Sequence, residues 1–253
     1  MESTELVRYR RVLKRKNYSV HTVKSYVNIL DQFIRRLTVS LSEVTRNEIG
    51  LYVDHLLRKR RTPKTITCHL QTIRLFFDYL TTEEGRSMAN PVTRISLRLP
   101  KPLPRHLQDG QVTRLLAVIR DLRDRALFMV MLRCGLRVQE VADLTVDAIE
   151  FGRRQIVVSN GKGAKDRIVY VSEDARSALL AYLERRPSKA EGLFLVQKGS
   201  MKGKPLSVRG IQKRMEYYAR NSGLEVSCHQ LRHTMATQLL NADADLATIQ
   251  DLL

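Results

Sequence analysis

The stretch from Asn90 to Arg105, NPVTRISLRLPKPLPR, carries four of the chain's seven prolines. Each proline fixes its own φ, removes a backbone donor and biases the preceding residue away from the helical region. No helix or central strand can run through such a segment, so it predicts a semi-extended linker over residues 90–105. A chain of 253 residues is long enough for a domain with its own core on each side. The expected organisation is a first domain at 1–89 and a second at 106–253.

Before the linker the apolar residues recur at helical spacing. Val23, Val27, Leu30, Phe33, Ile34 and Leu37 form one stripe behind Ser19, a residue type that caps helix starts. Ile66, Leu70, Ile73, Phe76, Phe77 and Leu80 form another behind Thr62 and Pro63, which suit a cap and a first helical position. With further helices expected at Thr4–Lys16 and Ser42–Arg60, the first domain is a four-helix unit. His21, Lys24, Lys64, His69 and Arg74 lie off the apolar stripes. They are candidate contacts to phosphates, with ordinary solvated helix faces as the alternative for each.

After the linker the pattern is mixed. Helices are expected at Gln111–Arg120, Arg123–Arg133 and Val138–Leu144, with Gly135 suited to the left-handed cap that ends the second. Gln155–Ser159 and Arg167–Val171 are short β-branched runs joined by NGKGAKD, whose Asn, Gly and Asp favour a tight turn. They predict a strand pair with Lys162 and Lys165 near its tip. Helices follow at Asp174–Arg186, Val208–Asn221 (between Ser207 and Gly223), His229–Leu240 and from Leu246 onward, with a small strand at Leu193–Val196. The fold class is therefore mainly α with a small β-sheet in the second domain.

Lys and Arg number 44 against 26 acids, a net charge of +18. A surface so basic seeks a polyanion, and neutralising phosphates with Lys and Arg gives strong, salt-sensitive nucleic-acid binding. No apolar run approaches the ~20 residues needed to span a bilayer, and the N-terminus lacks a signal-peptide apolar region, so a cytoplasmic protein without membrane association is expected. Cys68, Cys134 and Cys228 are odd in number and widely spaced. That fits neither a disulfide framework nor a zinc pair, and predicts three buried small apolar residues.

Chemistry-bearing residues concentrate in three pieces of the second half. In CGLRVQEVADLT, from Cys134 to Thr145, Arg137 follows a glycine turn and Glu140 lies one helical turn on. In GKGAKDR, from Gly161 to Arg167, a lysine sits on the expected hairpin. In CHQLRHTMAT, from Cys228 to Thr237, His229, Arg232 and His233 crowd a helix start, where free N–H groups and the dipole favour an anion. His229 and His233 are also spaced as in the zinc motif HExxH. Gln230 stands where that motif requires Glu, however, and no third ligand is evident, so no metal is expected.

In this order and over nearly the whole chain, these pieces resemble the tyrosine recombinase family. These are the phage-integrase and Xer-like enzymes, related in catalytic fold to type IB topoisomerases. The resemblance implies an N-terminal helical core-binding domain and a C-terminal catalytic domain. By position, Arg137 matches the first catalytic arginine, Lys162 the hairpin lysine, His229 the histidine and Arg232 the second arginine, while Glu140 matches the acid that supports the first arginine. The implied reaction is cleavage and rejoining of double-stranded DNA through a 3′-phosphotyrosyl intermediate, without metal or cofactor, by a homo-oligomer that is tetrameric in the synaptic complex. The implied role is integration or resolution.

The family pattern continues past a leucine pair like Leu252 and Leu253 into Gly-His and then to the nucleophilic tyrosine. Neither is present in this sequence, and none of Tyr170, Tyr217 and Tyr218 lies where the nucleophile belongs. The expectation is a truncated chain that binds DNA without cleaving it. The alternatives are a DNA-binding regulatory protein on a recombinase scaffold and, third, a topoisomerase of little sequence preference.

Overall fold

The computed structural model describes residues 4–92, 97, 106–159, 166–187, 190–247 and 249. The chain divides into two compact units, Met1–Pro102 and Leu103–Leu253.

The first unit holds α1 (Thr4–Arg15), α2 (Val20–Ile34), α3 (Arg46–Arg58) and α4 (Pro63–Thr82). The Ser19 hydroxyl accepts from the Thr22 N–H at 3.1 Å and so starts α2. Thr62 does the same for Thr65 at 3.3 Å, with Pro63 at the first position of α4, where its missing donor is harmless. Both apolar stripes turn inward, and Phe33, Phe76 and Phe77 are fully buried between them. The helix expected over Ser42–Arg60 is broken in two. A 3-10 turn at Leu41–Glu43 precedes α3, because Thr45 and Glu48 form a capping box that starts a new helix at Arg46. The Glu48 carboxylate accepts from the Thr45 N–H at 2.8 Å, and the Thr45 hydroxyl accepts from Asn47 at 3.1 Å.

The second unit is built around α6 (Leu122–Arg133), every residue of which from Ala126 to Leu132 is buried. A helix apolar on all sides must be surrounded. Here α6 packs against α7 (Val138–Asp143), α8 (Glu173–Leu183) and α10 (Cys228–Asn241). The remaining helices are α5 (Asp109–Ala117) and α9 (Val208–Ser222), the latter ended by Gly223 at φ 63°. Residues 246, 247 and 249 are helical as well.

Three antiparallel strands, β1 (Ile149–Glu150), β2 (Gln155–Val158) and β3 (Arg167–Tyr170), form one sheet in the order β1-β2-β3. The expected strand pair is β2 with β3, and β1 is an addition too short to show alternation. Ile156 pairs with Val169, and both are buried, while Ile168 and Tyr170 are exposed. The same register pairs Val158 with Arg167 and so sets the Arg167 side chain on the inner face. The strand expected at Leu193–Val196 is only an isolated bridge, Leu195 to Pro205.

Burial corrects one further expectation. Cys134 and Cys228 are buried, which pushes their thiols up to about 12 and about 11, but Cys68 is exposed. It stands two residues from both Ile66 and Leu70 on α4, which turns it away from the face they share. Among the described residues no helix is long and apolar enough to cross a membrane.

One buried charge cluster locks this unit. Asp124 is fully buried on α6, and its Oδ1 accepts from Arg123 Nε at 2.8 Å and Nη2 at 2.6 Å. Its Oδ2 accepts from Arg214 Nε at 2.6 Å and the Tyr218 hydroxyl at 2.9 Å, both on α9. Arg123 also donates to the Leu195 carbonyl at 2.9 Å. One carboxylate thus ties α6, α9 and the 195 loop together. The substitution D124A strands Arg123 in the interior and should lower the unfolding free energy by about 3–5 kcal/mol, read from urea melts.

Candidate active site

The site begins where α6 stops. Arg133 is the last residue of α6 and Cys134 its cap, and Gly135 at φ 66° reverses the chain in a left-handed conformation that favours a residue without Cβ. The chain then enters α7 with Arg137 as its N-cap. Glu140, at the third helical position, reaches back to accept from the Arg137 backbone N–H at 2.7 Å, and its other oxygen accepts from Arg137 Nη1 at 2.8 Å. The RxxE spacing is therefore half of a capping box as well as an ion pair.

α10 supplies the second arginine. Ser227 precedes its first turn, and the Gln230 side chain accepts from the Ser227 N–H at 2.8 Å. Gln230, which occupies the glutamate position of the zinc motif, thus closes the helix start. Arg232 is buried on this helix and donates through Nη1 to the carbonyl that Gly135 presents. The same nitrogen lies 3.9 Å from Glu140 Oε2. Burial first, then the Arg137 charge, lowers the pKa of Arg232 to about 10, which leaves it cationic at neutral pH.

His229 is exposed one turn before Arg232. Its ring meets His233 edge-on with centroids 4.3 Å apart, and the two Nε2 atoms are 2.9 Å apart, so one ring donates and the other accepts. Burial chiefly, and then the charges of His233, Arg232 and Arg137, lower the pKa of His229 below its ordinary value. The shift favours the neutral ring.

Arg137, Glu140 and Arg232 are thus brought together around one carboxylate, with His229 on the same helix as Arg232. Lys162 lies outside the described residues, as does Lys165; their segment joins β2 to β3. Arg167, to which the sequence motifs assign no role, joins the same carboxylate. It donates from Nη1 to Glu140 Oε1 at 2.7 Å and from Nη2 to Oε2 at 2.9 Å, a forked pair at the start of β3. Strand parity carried the signal, since a charged residue two places before inward Val169 needs a buried partner. Burial works to raise the pKa of Glu140, but the hydrogen bonds from Arg167 and Arg137 overcome it and bring it down to about 2.

Of the candidate phosphate contacts in the first unit, His21, Lys24, Lys64 and Arg74 are exposed. His69 departs from the expectation of an outward face. It is buried, with Nδ1 2.9 Å from the Tyr52 hydroxyl, and burial, aided by Arg61, lowers its pKa. Its place on α4, three residues after Ile66 and four before Ile73, puts it at the edge of the apolar face, where α3 covers it.

The chain also matches known proteins. The family model described as the phage integrase family matches residues 105–253, and that of a phage integrase N-terminal SAM-like domain matches residues 6–85. The chain is 31% identical over 237 residues to tyrosine recombinase XerA of Thermococcus kodakarensis, covering 93% of this chain and 80% of that protein. It is 34% identical over 266 residues to tyrosine recombinase XerC of Shewanella sp. strain W3-18-1, covering 100% and 86%. Among solved structures it shares its fold with a lambda integrase tetramer bound to a Holliday junction, with a TM-score of 0.81 at 17% identity over 99% of this chain and 76% of that one.

Glu140 is the counter-charge for the cluster, and E140Q removes that charge while keeping the shape. It should lower the unfolding free energy at pH 7 by about 3 kcal/mol or more in urea melts. Because the folded pKa lies below the unfolded value of about 4.3, the Glu140 contribution is full above that pH and disappears as pH falls through about 2. The gap between the parent and E140Q should therefore narrow over that acid window.

Proposed function

The chain belongs to the phage integrase family of tyrosine recombinases, and we propose that it acts in site-specific DNA recombination by holding one DNA phosphodiester between Arg137 and Arg232. The observation that carries the reading is the shared carboxylate. Glu140 pairs with Arg137 at 2.8 Å and lies 3.9 Å from Arg232, so two guanidinium groups remote in sequence converge on one place. Planar guanidinium forks match the non-bridging oxygens of a phosphate and stabilise the charge that builds on them in the pentavalent transition state.

In this reaction a tyrosine hydroxyl attacks phosphorus and its proton departs. The phosphorus–O5′ bond breaks, and the leaving oxygen gains a proton. Lys162 is the donor to that oxygen, and neutral His229 is placed to accept or exchange the proton of the nucleophile. The 3′-phosphotyrosyl bond conserves the energy of the broken link, and attack by another 5′-hydroxyl rejoins the strand.

The attacking tyrosine is not one of the nine in this sequence. The Tyr218 hydroxyl is held by Asp124 and Arg214, that of Tyr52 by His69, that of Tyr182 by the Leu193 carbonyl, and that of Tyr79 by Glu84. Tyr170 and Tyr217 are exposed, and no described tyrosine hydrogen-bonds to Arg137, His229 or Arg232. The partner is duplex DNA, gripped by a chain of net charge +18 and met in the first unit by His21, Lys24, Lys64 and Arg74. Four copies act together in the synaptic complex.

Duplexes selected by the chain from a random pool provide the substrate for a test. Binding should weaken steeply with salt. On a nicked suicide substrate of the selected sequence the 253-residue chain should form no covalent adduct, and hydrogen peroxide supplied as an external nucleophile should cut the same phosphodiester. R137A and R232A should each lower that cutting by on the order of 10² to 10³ while leaving the complex intact. Binding without any peroxide-driven cutting would favour a regulatory DNA-binding protein, and a covalent adduct would place the nucleophile among the nine tyrosines.

A further inference from the structure

We propose that Arg167 is a positioning residue: by filling the Glu140 carboxylate from the β3 side, it keeps Arg232 off that carboxylate and available to an anion. This deepens the reading above and rests on it.

The argument begins with the capacity of one carboxylate. Two oxygens offer about four acceptor sites. Arg137 fills one on each oxygen, through its backbone N–H at 2.7 Å and Nη1 at 2.8 Å. Arg167 fills the other two, at 2.7 and 2.9 Å. Glu140 is thereby saturated. Arg232 Nη1, at 3.9 Å, is close enough to feel the charge but holds no hydrogen bond to it, and turns to the Gly135 carbonyl instead.

The state of Arg232 shows what the saturation achieves. Among the described residues the only side-chain nitrogen or oxygen sealed from solvent without a partner is Arg176 Nε. Arg232 keeps 7% of its side chain exposed, and that small exposed part is where an anion can meet the N–H groups beyond the one on Gly135. If Arg167 were absent, two strong acceptor sites would stand empty beside a cation a short reach away. A charge-assisted fork would form there, turning Arg232 from the opening toward Glu140.

Bonding partners, rather than exposure, separate the roles of the three arginines. The Arg137 side chain is 34% exposed and that of Arg232 only 7%, but Arg232 gives no hydrogen bond to Glu140, whereas Arg167 places both terminal nitrogens on it. Arg167 is placed to hold the carboxylate, and the neighbouring pair to hold the ligand. Its position as first residue of β3 gives the clamp a second consequence. It anchors the start of β3 to the arginine turn on α7.

R167M removes the fork with little change in length, and R167K keeps the charge but cannot fork onto two oxygens. The first readout needs no reaction. Inorganic phosphate is titrated into the 15N-labelled chain while the Arg232 Nε–H signal, identified by its loss in R232K, is followed by NMR. R167M should weaken phosphate binding by on the order of tenfold or more. In phosphate-free R167M the Arg232 signal should already be displaced, and adding E140Q should remove the displacement by removing the charge that draws the arginine. R167K should fall between parent and R167M, and it serves alone if R167M does not fold.

The second readout is the peroxide-driven cutting of DNA, which R167M should slow by on the order of 10 to 10²-fold, as a shift of about 1 Å in a ligand-holding group does. Phosphate binding that is absent from the parent, equal in parent and R167M or R167K, or a displacement that persists with E140Q, would overturn the proposal. Phosphate binding that depends on Arg167 in a chain that never cuts DNA would leave the clamp standing and remove the cleavage reading.

Discussion

A single carboxylate organises the second unit's chemistry. Glu140 lies in a short helix that could not hold two arginines in place by itself, and it is nearly buried, so its charge acts at close range with little screening. Around it meet α7 through Arg137, β3 through Arg167 and α10 through Arg232. Each of those groups is cationic, and three such groups would repel one another in the interior. One anion shared among them reverses that balance and leaves a net positive pocket, a field that favours an anion. The low pKa of Glu140 follows from the same geometry.

That carboxylate depends in turn on a stiff frame. α6 is buried all round and delivers the chain to Gly135, whose left-handed backbone both starts the turn into Arg137 and offers its carbonyl to Arg232. A second buried carboxylate, Asp124, holds α9 against the other end of α6. α10 is tied further by Thr234, whose hydroxyl accepts from the Leu107 N–H at 2.9 Å. Two buried acids, each with several donors, thus do for the site and its frame what apolar packing alone does less specifically. Packing fixes how near the helices lie, while the directional bonds fix their register.

Much of the fold was legible because local rules and tertiary packing agree. Ser19, Thr62 and Ser207 stand where helices start, Gly223 where one ends, and the stripes on α2 and α4 face inward as their spacing requires. The departures are local. The Thr45–Glu48 box splits a segment that apolar spacing alone reads as continuous, and the pairing of the 193–196 segment is confined to one bridge, from Leu195 to Pro205. At the edge of the α4 stripe, spacing cannot tell whether a polar residue is covered. His69 is covered by Tyr52 and Arg74 is not.

The sequence by itself determined the helical character of both halves and where several of the helices begin and end, because periodicity, caps and short motifs are written in neighbouring positions. It also contained the pairing of Arg137 with Glu140, which is one helical turn. Only the tertiary structure decided that Arg167 closes on the same carboxylate, that Arg232 reaches the Gly135 carbonyl, and that His229 bonds His233. The first two of these join residues far apart in the chain. The third depends on rotamer and burial, which helical spacing permits without fixing. Hydrogen-bonding capacity is a property of the assembled site, and no local pattern counts how many donors converge on one acid.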